Sequence, residues 1–122
     1  MKEVYLMLLF VAHFLGDYTH LSRPFMLKAK ATGSPVLPIA LHGAVHGVLM
    51  GFITLWFYGT LPALAVFAFQ AVTHMIIDIL KGRLNVWFPS LRNAANIYHW
   101  YVFGFDQLLH ATVIVGIYSV LI

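Results

Sequence analysis

Residues 36–58 read VLPIALHGAVHGVLMGFITLWFY, an apolar run that holds two histidines, His42 and His46. At about 1.5 Å per residue, a helix of this length crosses a hydrocarbon layer about 30 Å thick. Side chains four residues apart lie on the same face of a helix, so the two imidazoles stand next to each other. The run therefore predicts a membrane-spanning helix that presents two potential metal ligands on one face.

Three more apolar runs accompany this one in a chain of 122 residues, of which 61% are hydrophobic and 9% charged. This composition is typical of an integral membrane protein rather than a soluble domain. Small residues at Gly43, Gly47 and Gly51 favour close packing of helices in lipid. We expect an all-α fold, an integral membrane four-helix bundle that forms a single transmembrane domain over residues 1–122. Its helices are predicted at about 4–21, 36–58, 61–82 and 97–121.

Each of the four apolar runs carries one pair of ionisable side chains at the same four-residue spacing. Ionisable groups are costly in hydrocarbon and are usually functional where they occur in membrane helices. Because each pair shares one helix face, four packed helices could direct all four pairs toward a common centre. The predicted metal ligands are His13, Asp17, His42, His46, His74, Asp78, Asp106 and His110.

Basic residues fall in two of the three connections between the runs, whereas the turn near residues 58–62 has none. Connections rich in lysine and arginine stay in the cytoplasm. We therefore expect the protein in a bacterial inner membrane, with both termini outside and the basic loops cytoplasmic. All four ligand pairs then fall at a similar depth in the cytoplasmic half. The basic residues of these loops are Arg23, Lys28, Lys30, Lys81, Arg83 and Arg92.

The predicted ligand set consists of five imidazoles and three carboxylates, and the chain has no cysteine. Such a set suits one or two divalent metal ions, with zinc as the first candidate and iron or manganese as alternatives. A pair of ions can activate water and stabilise a leaving oxygen. This chemistry predicts a metal-dependent hydrolase that acts on a lipid-linked or membrane-proximal ester, most naturally a phosphate or carbonyl ester.

Two further polar residues are predicted to assist catalysis. Lys81 lies seven residues after His74 and so nearly on the same helix face, where it could bind an anionic substrate group. The alternative is a lysine with no role in catalysis, whose side chain extends to the membrane interface. Gln107 could orient a neighbouring ligand or form a hydrogen bond between helices. His20 and His99 are candidates for proton transfer or for interfacial polar residues.

Other functions use similar residues. A di-iron oxidase or desaturase would have a comparable histidine-rich ligand set, a metal or proton carrier would pass ions along the same groups, and a hydrogen-bonded core would need no metal. The expected partners are the lipid bilayer and a lipid or lipid-linked substrate. The sequence is also compatible with a homo-oligomer. Nucleic acid is not expected, because the basic residues are explained by membrane topology.

The four motifs read HFLGD at 13–17, HGAVH at 42–46, HMIIDILK at 74–81 and DQLLH at 106–110. In this combination, over essentially the whole chain, they resemble the DUF3307 family of small bacterial and phage membrane proteins. The family pattern has a glutamine two residues after the first aspartate, where this chain has Thr19. A more distant similarity to membrane-bound metal-dependent hydrolases supports the predicted hydrolysis by analogy.

Overall fold

The computed structural model describes residues 1–122 and is entirely helical, without a β-strand. The predicted all-α class is therefore confirmed. A 3-10 helix, Pro89–Arg92, lies between the last two α-helices. The α-helices are α1 (Lys2–Tyr18), α2 (Pro24–Lys30), α3 (Val36–Tyr58), α4 (Thr60–Trp87) and α5 (Ile97–Leu121).

The helix boundaries agree with the sequence prediction for α3 and α5 and differ for the others. α1 begins at Lys2 and ends at Tyr18, so it is shifted toward the N-terminus relative to 4–21. α4 continues to Trp87, beyond the predicted end at residue 82. α2 lies in the first basic loop, where no helix was predicted. Pro24 occupies its first turn, where the fixed φ of proline favours the start of a helix.

Three helices, α3, α4 and α5, are long and apolar enough to cross a membrane. α1 has 17 residues, which corresponds to about 25 Å and is shorter than a hydrocarbon layer of about 30 Å. Large apolar side chains cover the outside of these helices, and Trp56 and Phe52 are 85% and 71% exposed. Such a surface suits contact with lipid tails rather than with water.

The long helices pack in a closed order, in which α1 contacts α3 and α5, and α4 contacts α3 and α5. α3 and α4 run antiparallel and very close together. A Cβ atom added at Gly43 would lie 2.5 Å from the carbonyl oxygen of Ala71, and one at Gly47 would lie 2.6 Å from that of Phe67. The small-residue ridge of α3 therefore lies against the backbone of α4, as predicted for helices in lipid.

The two ends of the helix assembly differ in chemistry. At the end near the N-terminus, the only side-chain hydrogen bond across helices joins Tyr5 Oη and Thr54 Oγ1, at 2.9 Å. The other end holds α2, the 3-10 helix and the basic loops, and the predicted ligands lie next to it. The apolar core at the first end consists of Tyr5, Leu9, Ala12, Met50, Val66, Ile114 and Ile117.

Candidate metal centre

All eight predicted ligands lie in one buried cluster, to which α1, α3, α4 and α5 contribute one pair each. No side chain among them is more than 10% exposed. Each pair occupies a single helix face, so the helical repeat alone fixes the two side chains next to each other. Close packing of the four helices then brings the four pairs together.

Asp17 is the centre of one half of the cluster. Its Oδ1 lies 2.8 Å from His42 Nε2, 2.9 Å from His46 Nε2 and 3.6 Å from His74 Nε2. Its Oδ2 lies 3.4 Å from His13 Nε2. One carboxylate from α1 thus contacts imidazoles from three helices.

Asp78 is the centre of the other half. Its Oδ2 lies 3.0 Å from His74 Nδ1 and 3.7 Å from His42 Nε2, while its Oδ1 lies 3.4 Å from His110 Nε2. The same His110 nitrogen lies 3.5 Å from Asp106 Oδ1. The ring centroids of His74 and His110 are 4.2 Å apart. His42 and His74 contact both aspartates, so the two halves form one continuous cluster.

The distances between these atoms fit a divalent cation. Ligand atoms about 2.1 Å from one tetrahedral ion lie about 3.4 Å from each other, which is close to the separations in both halves. Three groups of nitrogen and oxygen atoms, each within 4.8 Å of one another, could each hold an ion. They are His13, Asp17, His46 and His74; His42, His74 and Asp78; and Asp78, Asp106 and His110.

The unsatisfied polar atoms of the protein are concentrated at the same place. Ten buried side-chain nitrogen and oxygen atoms lack a hydrogen-bond partner, and eight of them belong to the predicted ligands. A buried polar atom without a partner costs about 1–3 kcal/mol. Four of these eight atoms, both ring nitrogens of His74, Asp78 Oδ2 and Asp106 Oδ1, lie no more than 3.6 Å from an atom of another predicted ligand. A cation bound among them would remove part of this cost. The donor set therefore fits a metal ion.

Lys30, at the end of α2, also belongs to the cluster. Its Nζ lies 3.6 Å from Asp17 Oδ1, 3.7 Å from Asp78 Oδ2 and 3.3 Å from His42 Nε2. The sequence prediction used Lys30 only as a marker of topology. No local pattern identifies it as a site residue. A helix of seven residues is too short to show a periodic pattern that would predict which face its side chains share.

Close backbone packing holds Lys30 in this position. Gly33 has a φ of +76°, and a Cβ atom there would lie 2.8 Å from the carbonyl oxygen of Ile79. A Cβ atom on Gly82 would lie 2.5 Å from the carbonyl oxygen of Lys30. Any larger residue at either position would push the loop after α2 away from α4. The two glycines thus place the lysine against the aspartates.

Lys81 and Gln107, the two predicted catalytic residues, both contact Asp106. Lys81 Nζ lies 3.4 Å from Asp106 Oδ2, and it lies 5.0 Å from the ring centroid of Phe103. Gln107 Nε2 donates to Asp106 Oδ2 at 3.0 Å, and Gln107 Oε1 accepts from His13 Nε2 at 3.5 Å. Gln107 therefore both orients a neighbouring ligand and joins two helices. The catalytic roles of the two residues stay predictions.

His20 and His99 lie outside the cluster. The His20 side chain is exposed after the end of α1. His99 Nδ1 donates to the carbonyl oxygen of Leu91 at 2.6 Å, which links the first turn of α5 to the 3-10 helix. Neither histidine contacts a predicted metal ligand.

Comparison with known proteins identifies the family. A search of curated proteins and a search of solved structures each find no match. The profile of a family described as "Protein of unknown function (DUF3307)" matches residues 5–122. That range includes all eight residues of the buried cluster together with Lys30, Lys81 and Gln107. The resemblance found in the sequence motifs is thus confirmed, and the chain belongs to the DUF3307 family.

Proposed function

We propose that this protein is a membrane-embedded, metal-dependent hydrolase that acts on a lipid-linked phosphoester. The observation that carries the proposal is the buried cluster itself, in which nitrogen and oxygen ligands from four helices meet without sulfur. Zinc is the first candidate for the metal, and iron and manganese suit the same ligands. In sites of this kind a divalent ion activates water and stabilises a developing oxyanion.

The cluster offers two separate groups of ligands, one for each of two ions. One would be held by Asp17 with imidazoles of α1, α3 and α4, and the other by Asp78, Asp106 and His110. Gln107 keeps the Asp106 carboxylate in place through its donated hydrogen bond. Lys81 lies at the edge of the second group and is 29% exposed, so its ammonium group can reach both Asp106 and an incoming anion.

The charge of the cluster favours an anionic substrate. Three carboxylates and the ammonium groups of Lys30 and Lys81 give one net negative charge when the imidazoles are neutral. A single divalent cation reverses the sign, and a second cation adds to the positive charge. A buried site with net positive charge attracts a phosphate group, because the surrounding low dielectric weakens screening.

The position of the cluster favours an enzyme over a carrier. A carrier needs polar groups along the whole path through the membrane. The cluster instead lies toward the end with the basic loops, and the opposite end is filled by apolar side chains such as Leu9, Met50 and Ile114. This one-sided arrangement suits a reaction at one membrane surface.

The proposal places α1 in the membrane as the fourth span. α1 lies along α3 from the contact of Tyr5 with Thr54 to that of Asp17 with His42. Twelve residues of helix correspond to about 18 Å, most of the hydrocarbon layer. The basic loops would then lie in the cytoplasm and both termini outside, in a bacterial inner membrane.

The first test is the metal content of detergent-purified protein, measured by elemental analysis. We expect about one or two equivalents of zinc, manganese or iron per chain. His42→Ala, Asp78→Ala and His110→Ala should each lower this content, whereas His20→Ala, outside the cluster, should retain it. Protein that holds no metal when purified without chelator, and takes up none when these ions are added, would contradict the proposal.

The second test is hydrolysis of a defined substrate by metal-loaded protein. Dodecyl phosphate carries a phosphoester and a hydrocarbon chain, and we expect release of inorganic phosphate that stops on addition of a chelator. Asp78→Ala should abolish release and His20→Ala should not. Bound iron with the optical spectrum of an oxidase, and no phosphate release, would support the oxidase alternative instead.

A further inference from the structure

A cationic pocket lies directly next to the metal cluster. Its volume is about 280 Å³, and its polar lining consists of Lys81, Asn85, Arg92 and His99, without a carboxylate. Three side chains that can donate hydrogen bonds, Lys81, Asn85 and Arg92, thus line one cavity, and two of them are basic. Such a lining matches the oxygens of a phosphate group, which accept several charged hydrogen bonds at once.

The pocket is formed by the 3-10 helix and the neighbouring ends of α4 and α5. Arg92 is the last residue of the 3-10 helix. His99 donates from Nδ1 to the carbonyl oxygen of Leu91, which fixes its ring at the pocket wall. The contact between Lys81 and the Phe103 ring holds the lysine at the pocket wall. Secondary-structure elements, rather than a free loop, therefore position these groups.

An apolar groove continues from this pocket along the surface between α4 and α5. The groove has a volume of about 260 Å³, and the two cavities share Lys81 and Val102. Its apolar lining includes Ile77, Leu84 and Leu109, and the metal-ligand candidate Asp106 forms part of its wall. The cationic pocket, the groove and the metal cluster thus meet at Lys81 and Asp106.

The groove opens on the outer, apolar surface of the helices rather than toward the interior of the protein. Its lining residues on α4 extend from Ile77 to Trp87, a length of about 15 Å along the helix. Leu80 and Phe105 on its rim are 59% and 61% exposed. A hydrocarbon chain could therefore enter from the side, without leaving the bilayer.

We propose that the pocket and the groove together bind an amphiphilic phosphate ester, a membrane lipid whose phosphate lies in the pocket and whose hydrocarbon chain lies in the groove. The proposal rests on the proposed function and specifies where its substrate binds. Lys81 Nζ is 3.4 Å from Asp106 Oδ2. A phosphate held by Lys81 and Arg92 is therefore placed beside the group formed by Asp78, Asp106 and His110.

The test uses dodecylphosphonate, which combines an anionic head with a hydrocarbon chain and has a C–P bond that phosphoester hydrolysis does not cleave. Its dissociation constant is measured by titration calorimetry in a neutral detergent at fixed micelle concentration, and methylphosphonate serves as the head-only probe. We expect wild-type protein to bind dodecylphosphonate at least about tenfold more tightly than methylphosphonate, because the hydrocarbon chain buries apolar surface.

Two matched pairs of variants separate the head from the chain. Arg92→Gln should weaken binding of both probes about tenfold by loss of charged hydrogen bonds, whereas Arg83→Gln, outside the pocket, should bind as wild type. Leu109→Trp should fill the groove and weaken binding of dodecylphosphonate alone. Leu64→Trp, exposed elsewhere on α4, should leave both constants unchanged. Circular dichroism identifies any variant that fails to fold.

The inference would be overturned if Arg92→Gln and Arg83→Gln bound the phosphonates with equal affinity. It would also be overturned if wild-type protein bound dodecylphosphonate and methylphosphonate equally. Metal content measured on the same samples separates this outcome from failure of the proposed function. Arg92-dependent binding by protein that never takes up metal would support the lipid phosphate site and contradict the hydrolase. Protein that binds metal but does not distinguish dodecylphosphonate from methylphosphonate would contradict the lipid phosphate site and leave the proposed hydrolase intact.

Discussion

Gly16 shows how the absence of a side chain shapes the candidate metal centre. A Cβ atom at this position would lie 2.5 Å from the His46 ring, so the imidazole reaches Asp17 only because α1 has a glycine here. The sequence predicted His46 as a ligand from its spacing to His42. It could not predict the role of Gly16, because that role depends on the packing of α1 against α3.

Gly16→Ala is expected to displace the His46 ring from Asp17 and weaken metal binding about tenfold or more, since a distorted ligand geometry lowers affinity. The dissociation constant is measured by competition with a metal-chelating dye. Gly116→Ala is the matched control on another helix, because a Cβ atom at Gly116 would meet nothing within 4 Å. Equal affinities of the two variants would contradict the assigned role of Gly16.

Lys30→Gln is expected to raise metal affinity, by about tenfold, because the ammonium group beside Asp17 and Asp78 repels a cation bound to the same carboxylates. It should lower the thermal stability of metal-free protein, in which Lys30 is the nearest positive charge to both aspartates. Competition titration and thermal unfolding with and without chelator measure the two effects. Lys28→Gln, an exposed lysine on the same helix, is the control. A lower metal affinity of Lys30→Gln would contradict this account.

At the scale of helices, the long elements were predictable and the short one was not. The ranges of α3 and α5 follow from apolar runs long enough to span a membrane, and the histidine and aspartate pairs follow from the helical repeat. α2 depends instead on the approach of Gly33 to Gly82, which are far apart in sequence and close only in the fold. Its contribution of Lys30 to the cluster was therefore missed.

Gly82→Ala tests whether packing on α4 holds α2 in place. The added Cβ atom would overlap the backbone at Lys30, so we expect the loop after α2 to detach and trypsin to cleave after Lys28 and Lys30 several times faster. The rate is measured by gel electrophoresis of detergent-solubilised protein. Gly104→Ala, at a position with open space around it, should be cleaved like wild type. Unchanged cleavage in Gly82→Ala would contradict the packing argument.

At the scale of the whole molecule, the chain has the composition of a membrane protein and three helices that could cross a bilayer. The convergence of four ligand pairs was predictable, because the pairs fall at matching depth on helices of alternating direction. The extent of α1 could not be predicted from sequence, since the end of an apolar run does not fix where the helix stops. Here α1 ends at Tyr18, before the predicted Leu21.

Single cysteines test this topology, because the chain has none of its own. Lys2→Cys and Thr60→Cys should react with a membrane-impermeant maleimide in intact cells, whereas Arg23→Cys and Ser90→Cys should react only after the membrane is opened. Reaction is measured by the mass shift of the protein. Labelling of both Lys2→Cys and Arg23→Cys in intact cells would contradict a membrane-spanning α1.

The contact between α3 and α4 also bears on how the protein is made. Gly59 alone connects the two helices, and the pair carries four of the eight predicted ligands, His42, His46, His74 and Asp78. A ribosome completes this hairpin before it begins α5. α1 is made earlier still and carries His13 and Asp17, so six of the eight predicted ligands are present in the growing chain before α5. Insertion of α5 would then close a site that is already partly assembled, so the order of the helices along the chain is also an order of assembly.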